Sequence, residues 1–131
     1  MHKVRTAVVG AGVFGRHHLR LLQQAGRAEL VGVVDTDAGR AREAAAEYGC
    51  QALERHEDLA GRVDAAVVAA PTSAHVQIGT ALLEAGIHVL VEKPIAPDVA
   101  SARRLVDAAR RADRILQVGH LERFNPASGD C

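Results

Sequence analysis

Hydrophobic and polar positions fall into two alternating patterns along the chain. Short runs are apolar at nearly every position, and the longer stretches between them carry apolar residues every three or four places. The short runs are Val4 to Val9, Glu29-Leu-Val-Gly-Val-Val-Asp35, Cys50 to Leu53, Asp64-Ala-Ala-Val-Val-Ala-Ala70, Ile87-His-Val-Leu-Val91 and Ile115-Leu-Gln-Val118. Runs apolar on both faces suit strands covered by helices on both sides of a parallel sheet. Helical spacing follows Gly12 as far as Leu22, then covers Asp37 to Tyr48, Thr72 or Ser73 to about Ala85, and Asp98 to Ala112, with a helical turn around His56 to Ala60. Asp37 and either Thr72 or Ser73 are placed to cap helix starts, and Gly49 and Gly86 to stop helices. In the third helix Val76, Gly79, Leu82 and Leu83 share one face; in the fourth Val99, Ala102, Leu105, Val106 and Ala109 do. The arginines 103, 104, 110 and 111 fall largely outside that last stripe, and with Asp98, Asp107 and Asp113 interleaved they read as a solvated face.

The first strand ends in Gly10-x-Gly12-x-x-Gly15, and the spacing then becomes helical. The reason for three glycines is steric: Gly10 permits the sharp turn, Gly12 lets a pyrophosphate approach bare backbone, and Gly15 lets helix and strand pack closely. The N–H groups and positive dipole end of the helix would then meet the phosphates. The second strand closes on Asp35, about twenty positions beyond Gly15, where a carboxylate can accept both adenosine ribose hydroxyls and would repel a 2′-phosphate. That favours NAD over NADP, with Arg40 keeping NADP open. The alternative for Asp35 is a turn residue ahead of the cap Asp37. Strands alternating with helices throughout predict an α/β fold: a right-handed, Rossmann-type doubly wound parallel sheet in three α/β/α layers, with strand order 3-2-1-4-5-6.

Composition narrows the partners. A chain of 131 residues, 48% hydrophobic, suits one domain. Lys plus Arg and Asp plus Glu both total 16, so no long-range field draws in nucleic acid or an anionic membrane, and at 2% aromatic content there is no stacking platform for single strands. No run approaches the roughly 20 apolar residues of a membrane span, and Met1-His2-Lys3-Val4 shows no signal-peptide pattern, so a cytoplasmic setting is expected. Cys50 and Cys131 read as ordinary thiols. No pair of histidines has metal-ligand spacing such as His-x-x-x-His, and no metal site is expected.

Several motifs together carry a resemblance across essentially the whole chain: Gly10-Ala-Gly-Val-Phe-Gly-Arg-His-His18, Val34-Asp35, Ala70-Pro-Thr-Ser-Ala-His75, Ala85-Gly-Ile-His-Val-Leu-Val-Glu-Lys-Pro94 and Gly119-His-Leu-Glu-Arg-Phe-Asn-Pro126. The chain resembles the glucose-fructose oxidoreductase, inositol dehydrogenase and rhizopine-catabolism (Gfo/Idh/MocA) oxidoreductases. Glu92-Lys93-Pro94 is the most specific motif, because a generic dinucleotide domain needs no charged pair there. The resemblance implies that a nicotinamide dinucleotide is held by the glycine loop, Gly10, Gly12, Val13, Phe14 and Gly15, and by Asp35. It further implies that Ala70, Pro71, Thr72 and His75 lie along the cofactor, although many relatives have Asn in place of Thr72. Glu92 is expected near the nicotinamide ribose, Lys93 near the nicotinamide and the substrate hydroxyl, and Arg123 beside the nicotinamide half.

Hydride removal from a secondary alcohol needs a group that takes the hydroxyl proton, and an ammonium beside a positive nicotinamide ring gives up its proton more readily. Lys93 answers that need; the bland alternative is an exposed lysine paired with Glu92. His75 either caps or packs its helix or touches the cofactor, His17 and His18 belong to the first helix, and His120 is a substrate neighbour or a turn residue. Relatives carry a second, sheet-forming domain that supplies much of the sugar pocket, a catalytic His and usually the oligomer interface. Residues 1–120 are therefore expected to form the dinucleotide-binding domain, and 121–131 to begin the connection to a second domain. The family acts mostly on sugars, sugar nucleotides and cyclitols, and Gly119 to Ala127 is similar to members that oxidise the 3-hydroxyl of UDP-N-acetylglucosamine-type sugars. The competing readings are a dinucleotide-binding module without catalysis and an inert folded fragment that self-associates.

Overall fold

The computed structural model describes residues 3–92 and 95–119. Among these, the strands are β1 (Val4–Val9), β2 (Ala28–Val34), β3 (Gln51–Leu53), β4 (Ala65–Val68), β5 (His88–Val91) and β6 (Leu116–Val118). The α-helices are α1 (Val13–Gln24), α2 (Ala38–Tyr48), α3 (Thr72–Glu84) and α4 (Val99–Ala112), and a 3-10 turn spans His56–Leu59. All strand pairs are parallel and the sheet order is β3-β2-β1-β4-β5-β6, as the alternating patterns predict.

The strands are apolar at successive positions because both faces are covered. On β1, Ala7 and Val9 enter a core with Leu82 and Leu83 of α3 and Leu105 of α4, whereas Val8 enters a second core with Leu19 and Leu22 of α1 and Ala44 of α2. Burying each large aliphatic side chain contributes about 1.5–3 kcal/mol, so a one-residue slip of a strand gains nothing on either side.

The predicted caps form at α2, where the Asp37 carboxylate accepts the Arg40 N–H at 3.0 Å and Gly49 closes the helix at φ +71°. At α4 the Asp98 carboxylate accepts the Ser101 N–H at 2.7 Å. Strands run slightly shorter than their apolar runs: Asp35, Ala69 and Ala70 follow the strand ends and form the rim of the sheet, the Asp35 N–H still bonded to the Leu53 carbonyl and the Ala69 N–H to that of Val9.

Two helices sit differently from the expectation. Pro71, not Thr72 or Ser73, occupies the N-cap of α3, and the buried stripe of α3 is His75, Gly79, Leu82 and Leu83, with Val76 only half-buried. On α4 the buried residues are Ser101, Leu105, Ala108 and Ala109, while Val99 is 75% exposed. Where the two helices meet they approach closely: a Cβ on Gly79 would lie 2.8 Å from Leu105 Cδ1.

At the amino-terminal edge of the sheet, Asp64 accepts the Arg5 backbone N–H and guanidinium, each at 2.9 Å. The side-chain hydrogen bond from Arg5, followed by the backbone one, holds the Asp64 carboxyl below its ordinary value of 3.8. A carboxyl lowered on folding contributes stability that is full above its unfolded pKa and is lost as pH falls through the folded one. Asp64→Asn should therefore melt below the parent at neutral pH, with the gap closing below about pH 4. Thermal melts from neutral to acidic pH check this, and a pH-independent gap would assign the loss to packing instead.

Candidate functional site

The carboxyl ends of β1 to β4 open on a cleft of about 640 Å³. Gly10, Ala11 and Gly12 follow β1 into it, Asp35 and Thr36 follow β2, Glu54 to Glu57 follow β3, and Ala69, Ala70 and Pro71 follow β4. Arg40 of α2 and Ala74 and Ile78 of α3 complete the wall. This is where the strand order reverses, the place at which open α/β sheets bind ligands.

The three glycines have separate duties. Gly10 sits at φ +109°, and a Cβ there would fall 2.9 Å from the Ala69 carbonyl oxygen. A Cβ on Gly15 would fall 1.8 Å from the Gly10 carbonyl oxygen, so the first turn of α1 rests directly on the loop. A Cβ on Gly12 would meet nothing within 4 Å. Two of the glycines serve the fold; the third keeps backbone bare towards open space, which fits a pyrophosphate. Gly12 is also the N-cap of α1 and Pro71 that of α3, and neither helix start has a side-chain cap. Two positive helix ends with N–H groups left by side chains thus begin at this cleft, an electrostatic match to phosphate.

The Asp35 carboxylate, 10% exposed, accepts the Ala11 N–H at 2.9 Å through Oδ2 and the Asp37 N–H at 2.8 Å through Oδ1. It ties the glycine loop to the start of α2, and a carboxylate's further lone pairs leave capacity for ribose hydroxyls. Arg40 lies between two carboxylates, 3.7 Å from Asp35 and 3.9 Å from Asp37.

A family model described as an oxidoreductase family with an NAD-binding Rossmann fold, GFO_IDH_MocA, matches residues 4–120. The chain belongs to the Gfo/Idh/MocA family. It is 38% identical over 127 residues to UDP-N-acetylglucosamine 3-dehydrogenase of Acidithiobacillus ferrooxidans, covering 97% of this chain and 40% of that protein. The solved structure of that enzyme, GnnA, superposes with a TM-score of 0.85 over 97% of this chain and 42% of its own. Inositol 2-dehydrogenase 1 of Saccharopolyspora erythraea is 41% identical over 133 residues, covering 97% of this chain and 40% of that protein. The WlbA dehydrogenase of Chromobacterium violaceum, solved with NADH and UDP-GlcNAcA, is 30% identical with a TM-score of 0.87 over 95% of this chain and 37% of its own. The chain thus spans about two fifths of the length of the curated relatives it matches.

The matched family model is that of an NAD-binding Rossmann fold, and the cleft brings together Gly10, Gly12, Asp35, Ala70 and Pro71 of the residues expected to bind NAD. Val13 and Phe14, at the start of α1, are 84% and 63% exposed. Gly15 is buried behind the loop, and Thr72 is the half-buried first residue of α3. His75 packs rather than lining the cleft: it is 1% exposed, and its ring nitrogens lie 2.9 Å from the Ala70 carbonyl oxygen and 3.1 Å from that of Ile95. Glu92, just past β5, is 9% exposed and hydrogen-bonded to His18. Lys93, His120 and Arg123 lie outside the described residues.

Sequence reasoning missed the Ala11 N–H, the Glu54 to Glu57 wall, Ala74 and Ile78, and the His18 partner of Glu92. The wall was findable: in a doubly wound sheet, the residues just after each strand form the rim. The described residues hold no group of three or more His, Cys, Asp or Glu able to bind a metal, and no helix among them is long and apolar enough to cross a membrane.

Proposed function

We propose that this chain is the cofactor-binding part of a longer NAD-dependent dehydrogenase that moves hydride between NAD and a secondary hydroxyl of a sugar nucleotide or cyclitol, in a cytoplasmic setting. The observation that carries the reading is the bare space over Gly12, flanked by two uncapped helix starts and by Asp35. NAD is favoured over NADP because Asp35 presents negative charge at the cleft and Arg40, held between Asp35 and Asp37, offers little net positive charge for a 2′-phosphate. The named activities of the relatives, on UDP-N-acetylglucosamine and on inositol, support the substrate class. The stretch from Gly119 points within it to the 3-hydroxyl of UDP-N-acetylglucosamine-type sugars.

When bound, NAD supplies the hydride acceptor. The Gly12 backbone and the first turn of α1 would hold the pyrophosphate, Asp35 would orient the adenosine ribose, and the Lys93 amine would take the hydroxyl proton as the neighbouring C–H bond gives up its hydride to the cofactor. By the family resemblance, Glu92 would serve the nicotinamide ribose and Arg123 the nicotinamide half. A second domain after residue 120 brings the sugar pocket, a catalytic His and the surface through which the protein forms homo-oligomers.

Calorimetric titration with NAD, NADH, NADP and NADPH, followed by turnover of the full-length protein on UDP-N-acetylglucosamine and myo-inositol, tests this. Tighter binding of the NAD pair and turnover that falls in Lys93→Ala, with NADH affinity retained, are expected. Dinucleotide binding without turnover on any sugar or cyclitol would instead indicate a binding module, and no binding at all would remove the reading.

A further inference from the structure

Three helices begin at the cleft wall: α1 after Gly12, α2 with Arg40 on its first turn, and α3 after Pro71. The α1 and α3 starts have no side-chain cap, whereas α2 starts on Asp37, whose carboxylate accepts the Arg40 N–H at 3.0 Å. The same carboxylate lies 3.9 Å from the Arg40 guanidinium, which is also 3.7 Å from Asp35. One carboxylate therefore meets both the positive end of α2 and the arginine of its first turn. The other basic side chains lining the cleft are Arg55 and His56, and Glu57 lies 3.6 Å from the first and 3.7 Å from the second. Each basic group of the lining thus has a carboxylate at ion-pair distance. Of these carboxylates, Asp35 and Glu57 line the cleft, while Asp37 stands outside the lining with its side chain 57% exposed. Its charge can be removed without reshaping the wall.

We propose that Asp37 is a specificity-determining residue for the dinucleotide: by offsetting the charge of Arg40 and of the α2 start, it makes the adenosine end of the cleft take a ribose with a free 2′-hydroxyl and disfavour a 2′-phosphate. The inference deepens the NAD reading and rests on it. A 2′-phosphate needs a guanidinium to give it charge-assisted hydrogen bonds, and a helix start adds N–H groups and dipole. Both are present beside Asp35, and Asp37 already answers both with its own negative charge. Once that charge is gone, Arg40 is opposed by Asp35 alone and α2 begins on a neutral cap. Asn and Ser cap a helix start about as well as Asp, so the charge can be taken away with the cap retained.

Calorimetric titration of this chain with NAD and NADP tests the proposal, comparing the parent with Asp37→Asn, Asp37→Ser and the double variant Asp37→Asn/Arg40→Ala. At low ionic strength NADP affinity should rise about five- to tenfold in both single variants, with NAD affinity moving less, and the gain should shrink at about 0.15 M salt because the charges are exposed to screening. The double variant should return NADP affinity to the parental value or below it. Thermal melts close to the parent's in the single variants show that the cap is kept, and if Asp37→Asn fails to fold, Asp37→Ser carries the same comparison. Equal shifts for the two cofactors would make Asp37 a helix cap alone and overturn the proposal. Parental NADP affinity in both single variants, or a gain that survives Arg40→Ala in full, would overturn it too. A parent that binds no dinucleotide would defeat the NAD reading and this inference with it, whereas a parent that binds NAD beside variants with unmoved NADP affinity strikes the role of Asp37 only.

Discussion

Gly15→Ala is expected to cost the domain about 3 kcal/mol or more, a fall in Tm on the order of 10 °C. The added methyl would sit 1.8 Å from the Gly10 carbonyl oxygen, and the obstacle is backbone, which cannot rotate away as a side-chain end can. Relieving the clash means lifting α1 off the loop, which also pulls Leu19 and Leu22 from their core. Gly12→Ala makes the matched control. Its methyl enters open space and its φ of −77° suits any residue, so no clash arises and the loss should be only about 1 kcal/mol, the ordinary preference for Gly over Ala at an N-cap. NADH affinity should nonetheless fall at least about tenfold, because the methyl occupies the surface a pyrophosphate needs. Calorimetric melts and NADH titration of the two variants separate the roles. Parental melting of Gly15→Ala would refute the packing account, and parental affinity of Gly12→Ala would move the phosphates elsewhere.

Asp35→Ala is expected to weaken NAD binding by about 2–3 kcal/mol, roughly 30- to 150-fold, and to weaken NADP binding less. The carboxylate does two jobs that this substitution removes together: it accepts the Ala11 and Asp37 N–H groups that shape the loop, and it holds the charge that meets the ribose. Asp35→Asn separates them, since an amide oxygen can still accept one of those N–H groups while the charge is gone. Narrowing of the NAD-to-NADP gap in both variants assigns cofactor choice to charge. Equal losses for both cofactors in Asp35→Ala would leave Asp35 as a support of the loop alone.

Local sterics and periodicity determined much of this protein from sequence by itself. The six apolar runs, the cap at Asp37, the helix stop at Gly49 and the Gly10-Gly12-Gly15 turn depend on neighbours within a few residues, and each forms at its expected place within a residue or two. Strand order followed as well, because right-handed crossovers leave few ways to arrange such a series.

Tertiary structure decided which face of a helix is buried and which distant groups meet. In α3 apolar residues flank both sides of the stripe, so a period of 3.6 tolerates a small rotation, and only packing against the neighbouring elements decides that His75 lies inside. The Glu54 to Glu57 wall has no composition of its own and becomes part of the cleft only because β3 pairs beside β2. The contact of His18 with Glu92 spans 74 positions, and no local pattern encodes it: a histidine on an amphipathic helix and a glutamate after a strand become partners only when α1 lies across the sheet. Local preference is written in each residue's own backbone and side chain, whereas a long-range pair exists only once burial has brought its elements together.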